Sequence, residues 1–254
     1  MMSRQQIPWK ITLIGDSCTD LYIYGNVDRL SPEAPVPIFK SQYKSRKGGM
    51  ALNVKQNLEN LGCEVDLWTS SKISVKTRYI DCKTNYQLMR VDRDNGEPFE
   101  DLNFPHKLDA DAIVVSDYDK GYLQYVDIEY LITIARMNKI PIYIDTKKPE
   151  LYRLQGAYIK INEDEYNKAT SYADNMIVTY GGQKVVFNGK EFHPPKIDVH
   201  DVCGAGDTFL AAMVKKHLDT KDWMKAIPFA MKAASITVQN HGVYAPTIEE
   251  IEND

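Results

Sequence analysis

The stretch Asp201-Val202-Cys203-Gly204-Ala205-Gly206-Asp207-Thr208-Phe209 sets small residues and a carboxylate directly before an apolar run that ends near Leu218. The periodicity predicts a helix from about residue 205 to 218. At its start the backbone of Gly204, Ala205 and Gly206 can approach an anion closely. The free N–H groups and the positive end of the helix dipole would then point at that anion. Asp207 would repel the same anion. It makes sense there as the acceptor of a proton from a hydroxyl aimed at a phosphate, which is general-base work. A helix cap with a tight turn is the plain structural alternative for these residues.

Other residues have types suited to the two ends of such a reaction. Gly48 and Gly49, read as the opening of a helix to about Leu61, let backbone pass close to a ligand, and Asn53 offers a donor and an acceptor for a sugar hydroxyl. Gly15-Asp16 closes the first apolar run, where ligands sit in open α/β sheets, and a carboxylate there can accept from two neighbouring hydroxyls. Asn162 and Glu165, at a strand-to-helix junction, carry oxygens suited to a hard cation that keeps its waters; an acidic first turn complementing the helix dipole is the alternative. Thr179 and Gly181 follow a strand and suit a nucleotide loop. Arg90, Lys120 and Lys147 are candidates for holding phosphate oxygens, against the usual solvated fate of such side chains.

The elements that must position these residues alternate. Strands are predicted at residues 11–15, 64–68, 112–116, 141–145, 157–161, 176–179 and 184–187, and helices at about 123–138, 205–218 and 221–238. That order implies a mostly parallel sheet covered on both faces. Residues 20–45 and 75–93 break the pattern. They are rich in strand formers, and Pro32, Pro35 and Pro37 suit turns or edge strands. The expectation is a single α/β domain over residues 1–254 carrying a small discontinuous β lid, whose apolar edges would pair a second copy into a homodimer.

With these residues in view, DVCGAGDTF resembles the C-terminal signature of the ribokinase-like (PfkB) carbohydrate kinases. The resemblance implies that Asp207 is the catalytic base and that residues 204–206 form the anion hole. It also implies that Asp201 sits beside a monovalent cation, that Asp16 and Asn53 hold the sugar, and that Asn162 and Glu165 organise Mg²⁺ near the phosphates of ATP. Gly242 would line the adenine pocket. Where the family often has a further glycine after Gly181, this chain has Lys184. The stretches GDSCTDLYIYGNVDRLSPEAPVPIFK (15–40), NYQLMRVD (85–92), VSDYDKGYL (115–123), DTK (145–147) and INEDEY (161–166) are similar, in order, to the D-glycero-D-manno-heptose 7-phosphate kinases, which phosphorylate an anomeric hydroxyl. Against those enzymes, residues 70–75 and 163–178 are short and the glycine signature has one extra residue before Asn53. No counterpart of the nucleotidyltransferase domain fused to some of them is expected in these residues. A kinase for fructose or ribose, and a catalytically silent sugar-phosphate or nucleotide binder, are the alternatives.

Bulk properties fit this reading. The 254 residues are 43% hydrophobic and 26% charged with a net charge of −4, which gives no general attraction to nucleic acid or anionic membrane. The four cysteines are scattered, without metal spacing. No apolar run approaches the roughly 18 residues of a membrane span, and the N-terminus offers too short a run for a leader. A cytoplasmic protein is expected. An NAD-dependent oxidoreductase would need GxGxxG after the first strand, where this chain has GDSCTD.

Overall fold

The computed structural model describes residues 7–94, 98–99, 104–240 and 242–253. The first six residues, read above for a leader, lie outside these. The central sheet has eight strands in the order β12-β11-β10-β9-β8-β7-β1-β4. β1 (Lys10–Gly15), β4 (Glu64–Trp68), β7 (Ala112–Asp117), β8 (Ile142–Thr146), β9 (Tyr158–Asn162) and β10 (Met176–Tyr180) run parallel. β11 (Lys184–Phe187) and β12 (Lys190–Phe192) add an antiparallel edge.

The strands are near-continuous apolar runs because both faces are covered. Alternate residues divide between two cores. Ile11, Leu13, Ala112, Val114 and Tyr143 face the side of α1 (Ala51–Asn60), α4 (Ala205–Thr220) and α5 (Trp223–Val238). Ile14, Ile113, Val115, Ile144, Ile159 and Ile161 face the side of α2 (Tyr125–Asn138). Short α3 (Glu163–Lys168) and α6 (Ile248–Asn253) complete the helices of the described residues. No helix among them is long and apolar enough to cross a membrane.

A second, four-stranded sheet has the order β3-β2-β5-β6. It is formed by β2 (Ser17–Leu30), β3 (Pro37–Met50), β5 (Ser74–Asp81) and β6 (Gln87–Arg93). It is more extended than the expected lid, and it corrects one expectation: Gly48 and Gly49 end β3 and do not open the helix. The reason is close pairing. A Cβ on Gly49 would stand 2.3 Å from Asp20 Oδ2 and 2.7 Å from Cys18 Sγ, across the β2–β3 ladder. β2 and β3 join the central layers without an intervening loop. Asp16 alone lies between β1 and β2, β3 runs directly into α1, and the Ala51 amide donates to the Asp16 carbonyl at 2.9 Å.

Candidate active site

Parallel strands that end on one edge bring their last residues together. On this edge lie Asp16 after β1, Tyr118 after β7, Lys147 after β8, Asn162 at the end of β9 and Gly181 after β10. The start of α4 faces them. Gly204 turns the chain there with φ +80°, and a Cβ on it would stand 2.8 Å from Asn53 Nδ2, so both backbone and neighbour select glycine.

Asp207 is buried in the first turn of α4. Its Oδ2 accepts from Asn53 Nδ2 at 2.8 Å and its Oδ1 from the Tyr118 hydroxyl at 2.6 Å. Burial pushes the carboxyl up to about 6, although both donors favour its charged form. Asn53 is itself fixed, its Oδ1 accepting from Asn57 Nδ2 at 3.1 Å. Asp16 Oδ2 accepts from the amides of Tyr118 and Lys120 at 2.8 and 3.3 Å, and burial raises this carboxyl as well. Asp207, residues 204–206, Asn53 and Asp16 are thus linked through α1 and the loop after β7.

Two features here were not among the candidates. Tyr118 belongs to a quoted motif, but its hold on Asp207 depends on a tertiary meeting that no spacing reveals. Lys160 and Asp145 are register partners on β9 and β8, joined Nζ to Oδ2 at 2.7 Å with both residues buried. Burial works against the charge on Lys160, but the Asp145 carboxylate outweighs it, and the ammonium lies above its ordinary value. A lysine interrupting the apolar run Tyr158-Ile159-Lys160-Ile161 is the available signal in the sequence.

Several candidates are placed differently from their expected roles. Arg90 lies exposed on edge strand β6, paired with Asp92 at 2.9 Å. Lys120 turns its ammonium to Asp94 at 2.8 Å, so its amide, and not its charge, reaches Asp16. Asn162 and Glu165 form a reciprocal helix cap, each side chain accepting from the other's amide, and Glu165 Oε1 also takes Lys147 Nζ at 2.6 Å. Among the described residues no group of three or more His, Cys, Asp or Glu could hold a metal ion. These oxygens therefore fit no direct Mg²⁺ cage; they suit a cation that brings its own waters and phosphate oxygens. Both oxygens of Asp201 are taken by the amides of Cys203 and Gly242 at 2.9 Å, which leaves its carboxylate clamping two loops. Gly242 is placed by that clamp next to Tyr22 and Lys47 of the lid. Thr179 donates to the Ile161 carbonyl at 3.3 Å beside Asn162, and Gly181 turns the chain with open space above it.

Under the lid lies a cavity of about 400 Å³ lined by Tyr22, Arg78, Gln87, His200, Asp201 and Cys203. Arg78 spans it, giving Nε and Nη2 to Asp20 Oδ1 at 3.2 and 3.1 Å and Nη1 to Gln87 at 3.0 Å. The buried Tyr22 hydroxyl beside it has no hydrogen-bond partner among the described residues. Two of its lining residues, Asp201 and Cys203, lead directly into the helix that carries Asp207.

The family described as pfkB family carbohydrate kinase matches residues 109–250. Bifunctional protein HldE of Helicobacter acinonychis (strain Sheeba) is 30% identical over 95% of this chain, and that of a Nitratiruptor species is 29% identical over 96%. The chain spans 65% and 64% of the lengths of these relatives. Among solved structures, phosphofructokinase-2 of Escherichia coli in complex with potassium superposes with a TM-score of 0.72 at 15% identity, covering 97% of this chain and 98% of that one. Ribokinase of Thermotoga maritima gives 0.70 at 15%, covering 96% and 98%. The fold is thus ribokinase-like.

Proposed function

The chain belongs to the pfkB family of carbohydrate kinases, and on that premise we propose that it moves the γ-phosphoryl group of ATP onto a sugar or sugar-phosphate hydroxyl, with heptose 7-phosphate at its anomeric position as first choice. The observation that carries the reading is the buried Asp207 carboxyl beside the glycine turn of α4, with its acidity shifted to about 6. A base whose pKa lies near working pH combines ionisation with proton affinity. The heptose choice rests on the run from Gly15 to Lys40 and on the likeness to the HldE proteins.

In this reading the sugar enters under the lid and is held by Asp16, Asn53 and the backbone of Gly48 and Gly49. Its reacting hydroxyl takes the place of the Tyr118 hydroxyl on Asp207 Oδ1. Asp207 accepts the proton as the sugar oxygen attacks, and the amides of residues 204–206 face the charge on the group in transit. ATP lies along the loops after β8, β9 and β10, near Lys147, Asn162, Thr179 and Gly181. Asn162 and Glu165 would hold Mg²⁺ through its waters, and the ion would supply charge neutralisation. The exposed Leu88, Met89 and Val91 of β6 support pairing of the lid with a second copy.

The test is a panel of heptose 7-phosphate, fructose 6-phosphate and ribose, assayed for ADP release. Asp207→Asn is expected to lower kcat by roughly 10²–10⁴. Turnover near that of the wild type would remove the proposed role. The occupied oxygens of Asp207 also suit a silent binder of sugar phosphate or nucleotide, and binding of a panel member or of ATP without any ADP release would favour that alternative.

A further inference from the structure

We propose that the ammonium of Lys160, seated by Asp145 against the first turn of α4, is a direct cationic contact for the phosphoryl group in transit. The assignment rests on the reading of residues 204–207 as the transfer site and deepens it by naming a further residue of that site.

The placement follows from strand geometry. Alternation along β9 sends Ile159 and Ile161 to one face of the sheet and Lys160 to the other, the face that α4 covers. Asp145 alternates the same way on β8, with Ile144 on the far face and Tyr143 on the near one. The pair therefore stands at the ends of adjacent strands beneath the start of α4. A Cβ added to Gly206 would lie 3.1 Å from Lys160 Nζ. The missing side chain at Gly206 is what lets the ammonium come so close to the amides that would face an anion.

A structural role alone accounts poorly for this pair. Each ion taken out of water costs several kcal/mol, and apolar residues of similar volume are often as stable in its place. A protonated lysine also carries three N–H donors. Asp145 is the acceptor seen for Lys160 among the described residues, which leaves donor capacity on a buried cation at the edge of the candidate transfer site. An anion arriving at the helix start would complete it. Asp145 then positions the ammonium and keeps it protonated, and Lys160 touches the reacting group.

During transfer the bond from the γ-phosphorus to the oxygen bridging to ADP breaks, and a bond from phosphorus to the sugar oxygen forms. ADP leaves with the bridging electron pair, and the hydroxyl proton goes to Asp207. Lys160 keeps its proton throughout and contributes charge. Its contact is with the terminal phosphoryl group, so it should separate ATP from ADP even before any sugar is bound.

The experiment is calorimetric titration with ATP and with ADP, Mg²⁺ present and sugar absent. The wild-type chain is compared with Lys160→Arg and with the paired neutral variant Lys160→Met/Asp145→Asn, which leaves no buried charge unmatched. The wild type is expected to prefer ATP. In the paired variant that preference should fall by roughly 10- to 100-fold, the worth of one charge-assisted hydrogen bond, with ADP affinity unchanged. Lys160→Arg should retain part of it. An unchanged ATP-to-ADP ratio in the paired variant overturns the assignment. So does an equal fall for both nucleotides, the mark of a merely structural pair, or a wild type without any preference. The kinase reading is judged apart from this, by sugar-dependent ADP release from the wild-type chain. Release there together with an unchanged ratio here discards Lys160 alone.

Discussion

Asp207 holds its charge in a place that disfavours charge, and this decides how the protein should respond to pH. Burial raises its carboxyl to about 6, against hydrogen bonds from Tyr118 and Asn53 that lower it. A general base must be ionised to accept a proton. kcat/KM for sugar-dependent ADP release is therefore expected to rise as pH climbs through about 6 and to level off above it. A flat profile from pH 5 to 8 would contradict the assignment. Gly204 gives a second check at this scale. Its φ of +80° costs an L-residue about 1–2 kcal/mol, and a new Cβ would press on Asn53 Nδ2 at 2.8 Å. Gly204→Ala should lower stability by at least that amount in urea unfolding. It should lower kcat as well, since Asn53 is one of the two groups that fix Asp207.

Among the elements, the lid is held by a charge pair as much as by its ladder. Arg78 on β5 and Asp20 on β2 are both largely buried and joined by two nitrogens to one oxygen. Removing one partner strands the other, which costs about 3–5 kcal/mol. Arg78→Met is expected to lose this much in urea unfolding, and Asp20→Asn/Arg78→Met to recover most of it. Equal losses in both variants would mean that Arg78 acts through packing. The lid also shows what a sequence conceals. The strands of the central sheet were legible because both faces are buried and their apolar runs are bounded by turns. β3 was legible only to about residue 45, within the expected lid; its end through Gly48 and Gly49 was not, because its residues from Lys40 to Lys47 are mostly exposed and polar, with no alternation to carry the strand on. The three residues of β12 and the short α6 after Pro246 offer too little period to detect. At the site, Asp207, Asn53 and Asp16 could be found because local chemistry marks them at element ends. Tyr118 and the Lys160–Asp145 pair could not be placed, because their meaning arises only where β7, β8 and β9 come under α4. Lys120 and Arg90 have the right charge, but exposed carboxylates nearby claim them.

At the scale of the whole molecule, α4 carries two titrating groups of opposite effect at its two ends. His217, near the C-terminal end, is packed on Trp223 at 3.9 Å between ring centres and hydrogen-bonded to Tyr143 at 2.6 Å. Burial lowers it from 6.5 to about 4. The unfolded chain then binds more protons than the folded one between those values, so this group adds stability that is lost as pH falls from 6.5 toward 4. Asp207 does the reverse. Its folded value of about 6 exceeds 3.8, so the folded chain binds more protons in between, and stability declines as pH rises through that window. Each shift is worth on the order of 3 kcal/mol, and their windows overlap between about pH 4 and 6. In the wild type the two effects oppose one another there. Asp207→Asn should gain stability relative to the wild type as pH goes from 4 to 6, and His217→Gln should lose it over the same range. Urea unfolding at three pH values in that interval, on both variants and the wild type, reads the two slopes directly. Slopes of the same sign would show that one of these groups is solvated in the folded protein. If that group were Asp207, the base would have the acidity of an ordinary surface carboxylate, too weak a proton acceptor for the transfer assigned to it.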